Sequence, residues 1–315
     1  MVDRDRAEGV LLGLSCGDAL GRPVEGWSAE RIDREYGTLE SFAGDGTHGK
    51  PPGTVTDDTQ LATRLARSLL AYEGFDRDDF ASRLVDWYDR RPFGIGGTTT
   101  DALRRIAEGA PPLEAAEAAR EAKPPGEKAT NGSVMRCAPL AIAYADDLEA
   151  LQRASRDSSR VTHADPRCVH GCAALTLTIA AALEGSERPL AAALVTLPED
   201  APDELVDRLE PVPDRVTSES LVPANDAVET LRTALFHALT ASDLETAIVG
   251  AVGEGGDADT IGAVAGAVAG ARFGANALPE RWLSTVEGRA ERAELADRLV
   301  DLEPSTEHES VREPR

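Results

Sequence analysis

Residues 255–270 read GGDADTIGAVAGAVAG, and this stretch decides the fold. Glycine, alanine and valine fill almost every position after Thr260, which predicts a buried helix packed closely by its neighbours. The two glycines before the helix permit unusual backbone angles. Asp257 and Asp259 crowd the helix start. The stretch therefore predicts a helical core element with an acidic group at its first turn.

The rest of the chain has the same helical character. Apolar residues recur at helical spacing, without period-2 runs bounded by turns. We therefore predict an all-α fold, a single compact multi-helix domain. The predicted helices cover residues 5–20, 58–73, 77–90, 99–108, 112–122, 134–145, 147–157, 165–184, 225–240, 243–252, 260–273 and 279–286. Asn225 is a start signal for one of them, and Ser242 with Glu245 forms a predicted capping box for the next.

The domain boundaries follow from length and composition. The chain has 315 residues and no composition change that marks a halfway split. We assign residues 1–303 to one domain. Within it, residues 186–223 are rich in proline and acidic residues and are predicted to form a surface excursion. Residues 304–315 are polar and are predicted to form a flexible tail.

The charge of the chain is strongly acidic. The net charge is -23, with 56 acidic residues and lysine only at Lys50, Lys123 and Lys128. Dense carboxylates on a lysine-poor surface are typical of proteins that work in concentrated salt, which screens their repulsion. This composition predicts a halophilic source, which we expect to be archaeal; an ordinary acidic mesophilic protein is the alternative. The composition also argues against a nucleic-acid partner, which would need a basic face.

Neither a targeting segment nor a disulfide framework is expected. No stretch approaches about 18 uninterrupted apolar residues, and the N-terminus lacks the pattern of a signal peptide. We therefore expect a cytoplasmic monomer without a membrane partner. Four cysteines are too sparse for a disulfide framework and are interpreted as packing residues. They are Cys16, Cys137, Cys168 and Cys172.

A second acidic pair, Asp57 and Asp58, lies between Thr56 and Thr59 directly before another predicted helix. One carboxylate before a helix is explained by capping, since its oxygen accepts from free backbone N–H groups. Two adjacent carboxylates exceed that need. Four carboxylates at two buried helix starts would repel one another unless cations neutralised them. All-oxygen ligands favour Mg²⁺ or Mn²⁺ over Zn²⁺.

A zinc site is the competing interpretation of another segment. His163, Cys168, His170 and Cys172 supply enough nitrogen and sulfur ligands for zinc. On a helix, however, Cys168 and Cys172 share a face from which His170 points away. We therefore interpret this segment as small apolar packing.

Taken in order, these and other segments resemble the ADP-ribosylglycohydrolase family, also called the dinitrogenase-reductase-activating glycohydrolase family. The resemblance covers roughly residues 7–287. The similar segments are Gly9–Gly13 with Gly17–Gly21, Thr56–Thr59, Gly94–Thr99, Asn131–Arg136, Thr162–Pro166, Gly256–Thr260, and Gly270–Gly274 with Pro279 and Trp282.

The resemblance implies a role for several residues. The matching metal ligands for two divalent cations, Mg²⁺ or Mn²⁺, are Thr56, Asp57, Asp58, Asp257, Asp259 and Thr260. Glu25 matches an acidic residue that gates the metal centre, and Glu25, Asp58 or Asp257 would assist proton transfer. Gly94, Gly96, Gly97 and Thr98 could cradle a pyrophosphate, or form a plain helix-entry loop. Asn131, Gly132, Ser133 and His163 match residues that contact the substrate.

The implied reaction is metal-dependent hydrolysis of the glycosidic bond between ADP-ribose and an acceptor. The acceptor would be a modified protein side chain or a small molecule. The cleavage would pass through an oxocarbenium-like state. Two alternatives stay open. The first is a non-catalytic ADP-ribose-binding or crystallin-like structural protein, and the second is a hydrolase of another phosphorylated nucleoside.

Overall fold

The computed structural model describes residues 2–304 and confirms the all-α fold. Within these residues no strand forms, and only two isolated β-bridges occur. The predicted tail lies outside the described residues except for Pro304. The helices are α1 (Arg4–Gly21), α2 (Ala29–Tyr36), α3 (Asp57–Tyr72), α4 (Arg77–Tyr88), α5 (Gly97–Ala107), α6 (Pro112–Glu121), α7 (Pro139–Ala143), α8 (Leu148–Ser159), α9 (Pro166–Leu183), α10 (Pro189–Thr196), α11 (Asp203–Leu209), α12 (Ala227–Thr240), α13 (Leu244–Gly253), α14 (Ala258–Phe273), α15 (Glu280–Leu283) and α16 (Arg289–Val300).

The centre of the domain is a pair of helices, α1 and α14, in backbone contact. A Cβ atom built on Gly13 would lie 2.2 Å from the carbonyl oxygen of Gly266, and one on Gly17 would lie 2.0 Å from that of Gly262. Gly9 faces Gly270 in the same way. The partners run in opposite directions at four-residue spacing, so the two helices are antiparallel. Only glycine allows this approach, and the seam holds the first turn of α14 against the end of α1.

The prediction that α14 is a closely packed buried helix is confirmed. From Ala258 to Ala271 every residue of α14 is buried. The helices α9, α12 and α13 pack around it, and α16 packs against α1 and α3. The acidic start of α14 is therefore an internal feature of the domain.

Several predicted helix boundaries are wrong. The segment 134–145 divides into a 3₁₀ turn, Val134–Arg136, and the short helix α7. Pro139 explains the division, because its ring nitrogen cannot donate the helical hydrogen bond. The segment 279–286 is helical only over Glu280–Leu283. Sequence periodicity did not identify α2, α10, α11 and α16.

Two helix N-caps lie one residue after the predicted ones. Asp226, not Asn225, caps α12, and its Oδ1 accepts from the Val228 N–H at 2.9 Å. Asp243, not Ser242, caps α13, and its Oδ1 accepts from the Thr246 N–H at 2.7 Å. The predicted capping box is therefore not formed.

Residues 186–223, predicted to form a surface excursion, form in part helices that pack against the rest of the domain. It contains α10 and α11, and Leu190, Leu205 and Leu209 are buried. The helix α10 packs on α9, and α11 packs on α12. Prolines at 189 and 202 begin or precede these helices rather than interrupting them, as expected for proline at a helix N-terminus.

Among the described residues, one helix, α9, is long and apolar enough by composition to cross a membrane. Its apolar window is 83% buried inside the domain. A buried core helix of a folded domain can have the same length and composition.

Candidate active site

A pocket of about 440 Å³ opens where the starts of α3, α5 and α14 converge. Most of the site residues predicted from the sequence line it. They are Glu25, Asp57, Asp58, Gly94, Gly96, Gly97, Thr98, Asn131, Gly132, His163, Asp257, Asp259 and Thr260. Of the predicted set, Thr56 and Ser133 do not line the pocket. The fold therefore brings together segments that are far apart in the sequence.

The floor of the pocket is acidic. Carboxylate oxygens of Glu25, Asp257 and Asp259 lie within 4.8 Å of one another. Asp57 and Asp58, on the first turn of α3, are buried beside them. Five carboxyl groups thus share one pocket, and those of Asp57, Asp58 and Asp259 are buried.

The electrostatic consequence is mutual destabilisation of the ionised forms. Burial raises the pKa of Asp58 and that of Asp259 well above the usual range, and neighbouring carboxylates raise both further. The pKa of Asp57 is raised for the same reasons. Burial also raises the pKa of Asp257, although a hydrogen bond from Asn131 opposes this shift.

The helix-cap explanation of these carboxylates does not fit the structure. In neither α3 nor α14 does the side chain of the N-cap residue accept a hydrogen bond from a backbone N–H of the helix. Asp58 Oδ2 accepts from the Thr56 hydroxyl at 2.9 Å, while Asp58 Oδ1 is buried without a hydrogen-bond partner in the described protein. A buried unpaired carboxylate oxygen is costly. Hard divalent cations fit this all-oxygen donor set.

Asp18, which is not among the predicted site residues, holds the first turn of α3, the turn that carries Asp57 and Asp58. Its carboxylate accepts from the Thr56 N–H at 3.0 Å, the Thr59 N–H at 3.2 Å and the Thr59 hydroxyl. Burial raises the pKa of Asp18 to about 6 against these hydrogen bonds. The signal available in the sequence was an acidic residue within an apolar stretch, residues 10–21. Asp18 fixes the position of Asp57 and Asp58.

The segment around Asn131 forms one wall. The Asn131 amide donates to Asp257 Oδ2 at 2.6 Å and to the Thr230 hydroxyl at 2.9 Å, so Asn131 orients an acidic residue of the floor. A Cβ atom on Gly132 would lie 2.9 Å from the His163 ring, which explains the glycine. Ser133 lies behind this wall, and its hydroxyl accepts from Ser159 at 2.9 Å.

His163 is a neutral polar group of the same wall. Its Nδ1 lies 2.8 Å from the Thr162 hydroxyl, and its Nε2 lies 3.1 Å from the Thr130 hydroxyl. Burial lowers the pKa of His163 to about 3, and the charges of Arg136 and Lys123 act in the same direction. His163 therefore offers hydrogen bonding without charge at neutral pH.

The glycine loop, residues 94–98, forms the adjoining wall, where the Thr130 hydroxyl donates to the Thr98 hydroxyl at 3.0 Å. The helix α5 begins at Gly97, two residues before the predicted start, and no side chain caps it. Gly94 has φ +78°, and a Cβ atom there would lie 3.6 Å from Asp57 Oδ1. The free N–H groups at the start of α5 thus lie beside the acidic floor, where they can receive an anion.

Glu25 is held at the pocket by the loop of residues 43–50. Its contact with this loop was not predicted from the sequence. His48 Nε2 forms a hydrogen bond with Glu25 Oε2. The His48 ring lies 5.3 Å from that of Phe93. The buried Arg22 guanidinium donates to backbone oxygens of Ala43 and Lys50, both at 3.1 Å, and so fixes the loop that carries His48.

The loop before α14 is fixed by its glycines, as predicted. Gly255 and Gly256 have φ +74° and +64°. The Gly256 N–H donates to the Trp27 carbonyl, and the Gly26 N–H donates to the Gly256 carbonyl, both at 2.7 Å. A Cβ atom on Gly256 would lie 1.7 Å from the carbonyl oxygen of Pro223. The acidic start of α14 is therefore tied to the chain that carries Glu25.

The segment with potential zinc ligands forms no such cluster. Cys168 and Cys172 are buried on α9, and Cys168 Sγ lies 3.2 Å from the Thr130 carbonyl oxygen. Within residues 2–304, the group of His, Cys, Asp and Glu side chains close enough for a shared ion contains only Glu25, Asp257 and Asp259. This agrees with the interpretation of the cysteines as packing residues.

A larger cavity, of about 870 Å³, lies elsewhere, between α7, α8 and the end of α16. Tyr144, Asp147 and Arg153 are among the residues that line it. It contains none of the predicted site residues, so size alone does not identify the reactive pocket.

Comparisons with known proteins agree with the resemblance noted in the sequence. The family model described as ADP-ribosylglycohydrolase matches residues 1–309, a longer range than the resemblance noted in the sequence, and it includes residues 186–223. The chain is 31% identical over 293 residues to ADP-ribosyl-[dinitrogen reductase] glycohydrolase of Rhodospirillum rubrum, covering 91% of this chain and 92% of that protein. It is 32% identical over 314 residues to ADP-ribosylarginine hydrolase Tri1 of Pseudomonas putida, covering 96% and 80%.

The solved structures give the same result. The chain superimposes on an ADP-ribosylglycohydrolase-related protein complex with a TM-score of 0.82 and 35% sequence identity. The match covers 95% of this chain and 98% of the other. This chain belongs to the ADP-ribosylglycohydrolase family, whose members are hydrolases that act on glycosyl bonds.

Proposed function

We propose that this protein hydrolyses the glycosidic bond between ADP-ribose and an acceptor, using two divalent cations, Mg²⁺ or Mn²⁺. The acceptor is a side chain of a modified protein or a small molecule. The observation that carries the proposal is the acidic floor of the pocket, which lies directly beside the free N-terminus of α5. The relatives named above, two hydrolases of ADP-ribosylated targets, support the choice of substrate.

The proposed cation ligands are Thr56, Asp57, Asp58, Asp257, Asp259 and Thr260. Bound cations would neutralise the buried carboxylates and supply electrostatic stabilisation at the reacting ribose. Asp18 and Asn131 would keep the ligand groups in position, because each already bonds to a residue of this set.

The protein residues would also orient the substrate. The N–H groups at Gly97 and Thr98 would bind the diphosphate. The glycine loop has glycine at positions 94, 96 and 97, and the lack of side chains there permits close approach of the ligand. Binding at both ends would hold the glycosidic bond over the acidic floor.

Glu25 is the proposed proton-transfer group, with Asp58 and Asp257 as its alternatives. Its carboxylate is only partly buried and is hydrogen bonded to His48, so it has a route to solvent. A carboxylate in this position can accept a proton from the attacking water and return it to the leaving group. Asp257 is less free, because Asn131 occupies one of its oxygens.

The first prediction concerns cooperation between cation and ligand. ADP-ribose should bind more tightly in Mg²⁺ or Mn²⁺ than in EDTA, because the diphosphate approaches a floor that is otherwise negatively charged. Isothermal titration calorimetry in both conditions measures this difference, in high salt that keeps the acidic protein folded. Absence of binding in both conditions would count against the proposed function.

A further inference from the structure

The charges around the pocket are very unequal. Besides the acidic floor, Glu127 and Asp226 also line it. Among the described lining residues only one basic side chain, Lys123, carries a positive charge at neutral pH, because His163 stays neutral. A ligand with two phosphate charges would therefore meet mainly like charge unless this lysine acts on it.

Lys123 is placed at the start of α5. A Cβ atom built on Gly97 would lie 3.1 Å from Lys123 Nζ, so the ammonium group stands directly over the first residue of the helix. Lys123 is half-buried, and across residues 2–304 its ammonium group forms no salt bridge or hydrogen bond with another side chain. Backbone N–H groups and an uncommitted ammonium thus converge on one end of the pocket.

A lysine suits the position over Gly97 better than an arginine. Lysine is rare in the chain, which uses arginine for nearly all its positive charge. An ammonium is a compact point charge that fits above Gly97, whereas a planar guanidinium needs more room.

We propose that Lys123 determines the affinity of this pocket for a diphosphate, by placing its ammonium beside the phosphate that the α5 N-terminus receives. The inference rests on the proposed function and adds a specificity residue to it. Lys123 balances the ligand charge at the start of α5, beside the acidic floor.

The test compares Lys123→Gln with Lys128→Gln. Lys128 is also half-buried and lies in the same loop, but it does not line the pocket, so it is the matched control. Calorimetry with ADP-ribose in Mg²⁺ at fixed salt should show about 10- to 100-fold weaker binding for Lys123→Gln, the range for loss of a charge-assisted hydrogen bond. Lys128→Gln should bind like the wild type, and Lys123→Arg should retain part of the affinity.

Two further readouts exclude a merely structural role. Melting temperatures of the chelated variants should match the wild type, and the dependence of ADP-ribose binding on salt should be weaker in Lys123→Gln. Wild-type affinity in Lys123→Gln, or equal losses in both glutamine variants, would overturn the assignment while leaving the proposed function intact. Failure of the wild type itself to bind ADP-ribose would overturn both.

Discussion

Asp259→Asn should lower the rate of ADP-ribose release by about 10³-fold or more, because ligand, cations and water would all be misplaced by the loss of one carboxylate. Asp259 is buried on the acidic floor, close to Asp257 and Glu25. Metal-free stability should be unchanged or slightly raised, because the substitution removes one of several mutually repelling groups. Product release and the melting temperature of the chelated protein measure the two effects.

The stability effect has a defined pH dependence. In the metal-free protein the pKa of Asp259 is raised by burial and neighbouring carboxylates, so the fold favours the protonated form. Stability from this group is therefore greatest below the unfolded pKa, about 4, and is lost as pH rises through the folded value. Any gain from Asp259→Asn should be present at neutral pH and fade towards about pH 4.

Asp243→Ala is the matched control for this variant. Asp243 caps α13 through its hydrogen bond to Thr246 and lies outside the pocket. Its loss should cost about 0.5–2 kcal/mol of stability and leave hydrolysis unchanged. If Asp259→Asn instead behaved like Asp243→Ala, with lower stability and normal turnover, the carboxylate would be a helix cap and the cation proposal would fail. Salt must be constant, since screening changes the repulsion.

Gly13→Val should destabilise the protein by at least about 3 kcal/mol, the upper part of the range for overpacking a core. The new Cβ would begin 2.2 Å from the Gly266 carbonyl oxygen, which belongs to backbone and cannot rotate away. The helices α1 and α14 would have to separate, which would also displace Asp18 from the acidic turn. Denaturant unfolding of the metal-free protein gives the free-energy difference.

Gly253→Ala is the corresponding control. Gly253 is also a helical glycine, at the end of α13, and a Cβ atom there meets nothing within 4 Å. It should be neutral or stabilise the protein by up to about 1 kcal/mol. Equal unfolding free energies for Gly13→Val and wild type would show that the seam between α1 and α14 does not require glycine.

The fold class and the two acidic pairs were predicted from the sequence for a physical reason, whereas the other pocket residues were predicted from the family resemblance. Apolar periodicity identifies helices with one buried face, and acidic pairs at two helix starts are rare enough to mark a shared site. The helix α16 escaped notice because its buried residues, such as Leu295 and Leu299, are sparse among charged ones. The glycines of α1 recur every four residues, but their pairing with α14 depends on tertiary contact.

The parts of the site that were not predicted from the sequence also depend on tertiary contacts. His48 reaches Glu25 only because the buried Arg22 holds its loop, and neither contact follows from spacing along the chain. Asp18 carried a signal, an acidic residue in an apolar helix, but its partners lie 38 and 41 residues away. Ser133 matched a family motif yet faces Ser159 behind the wall, because motif matching does not give side-chain direction.

The most direct test of the central claim is ADP-ribose release by the chelated protein before and after metal is restored. The substrates are ADP-ribosyl-arginine, ADP-ribosyl-serine and O-acetyl-ADP-ribose, assayed in high salt. We predict no release from any of them in EDTA, and release from at least one when Mg²⁺ or Mn²⁺ is added back. Undiminished release in EDTA, or binding of ADP-ribose with no release in either metal, would contradict it.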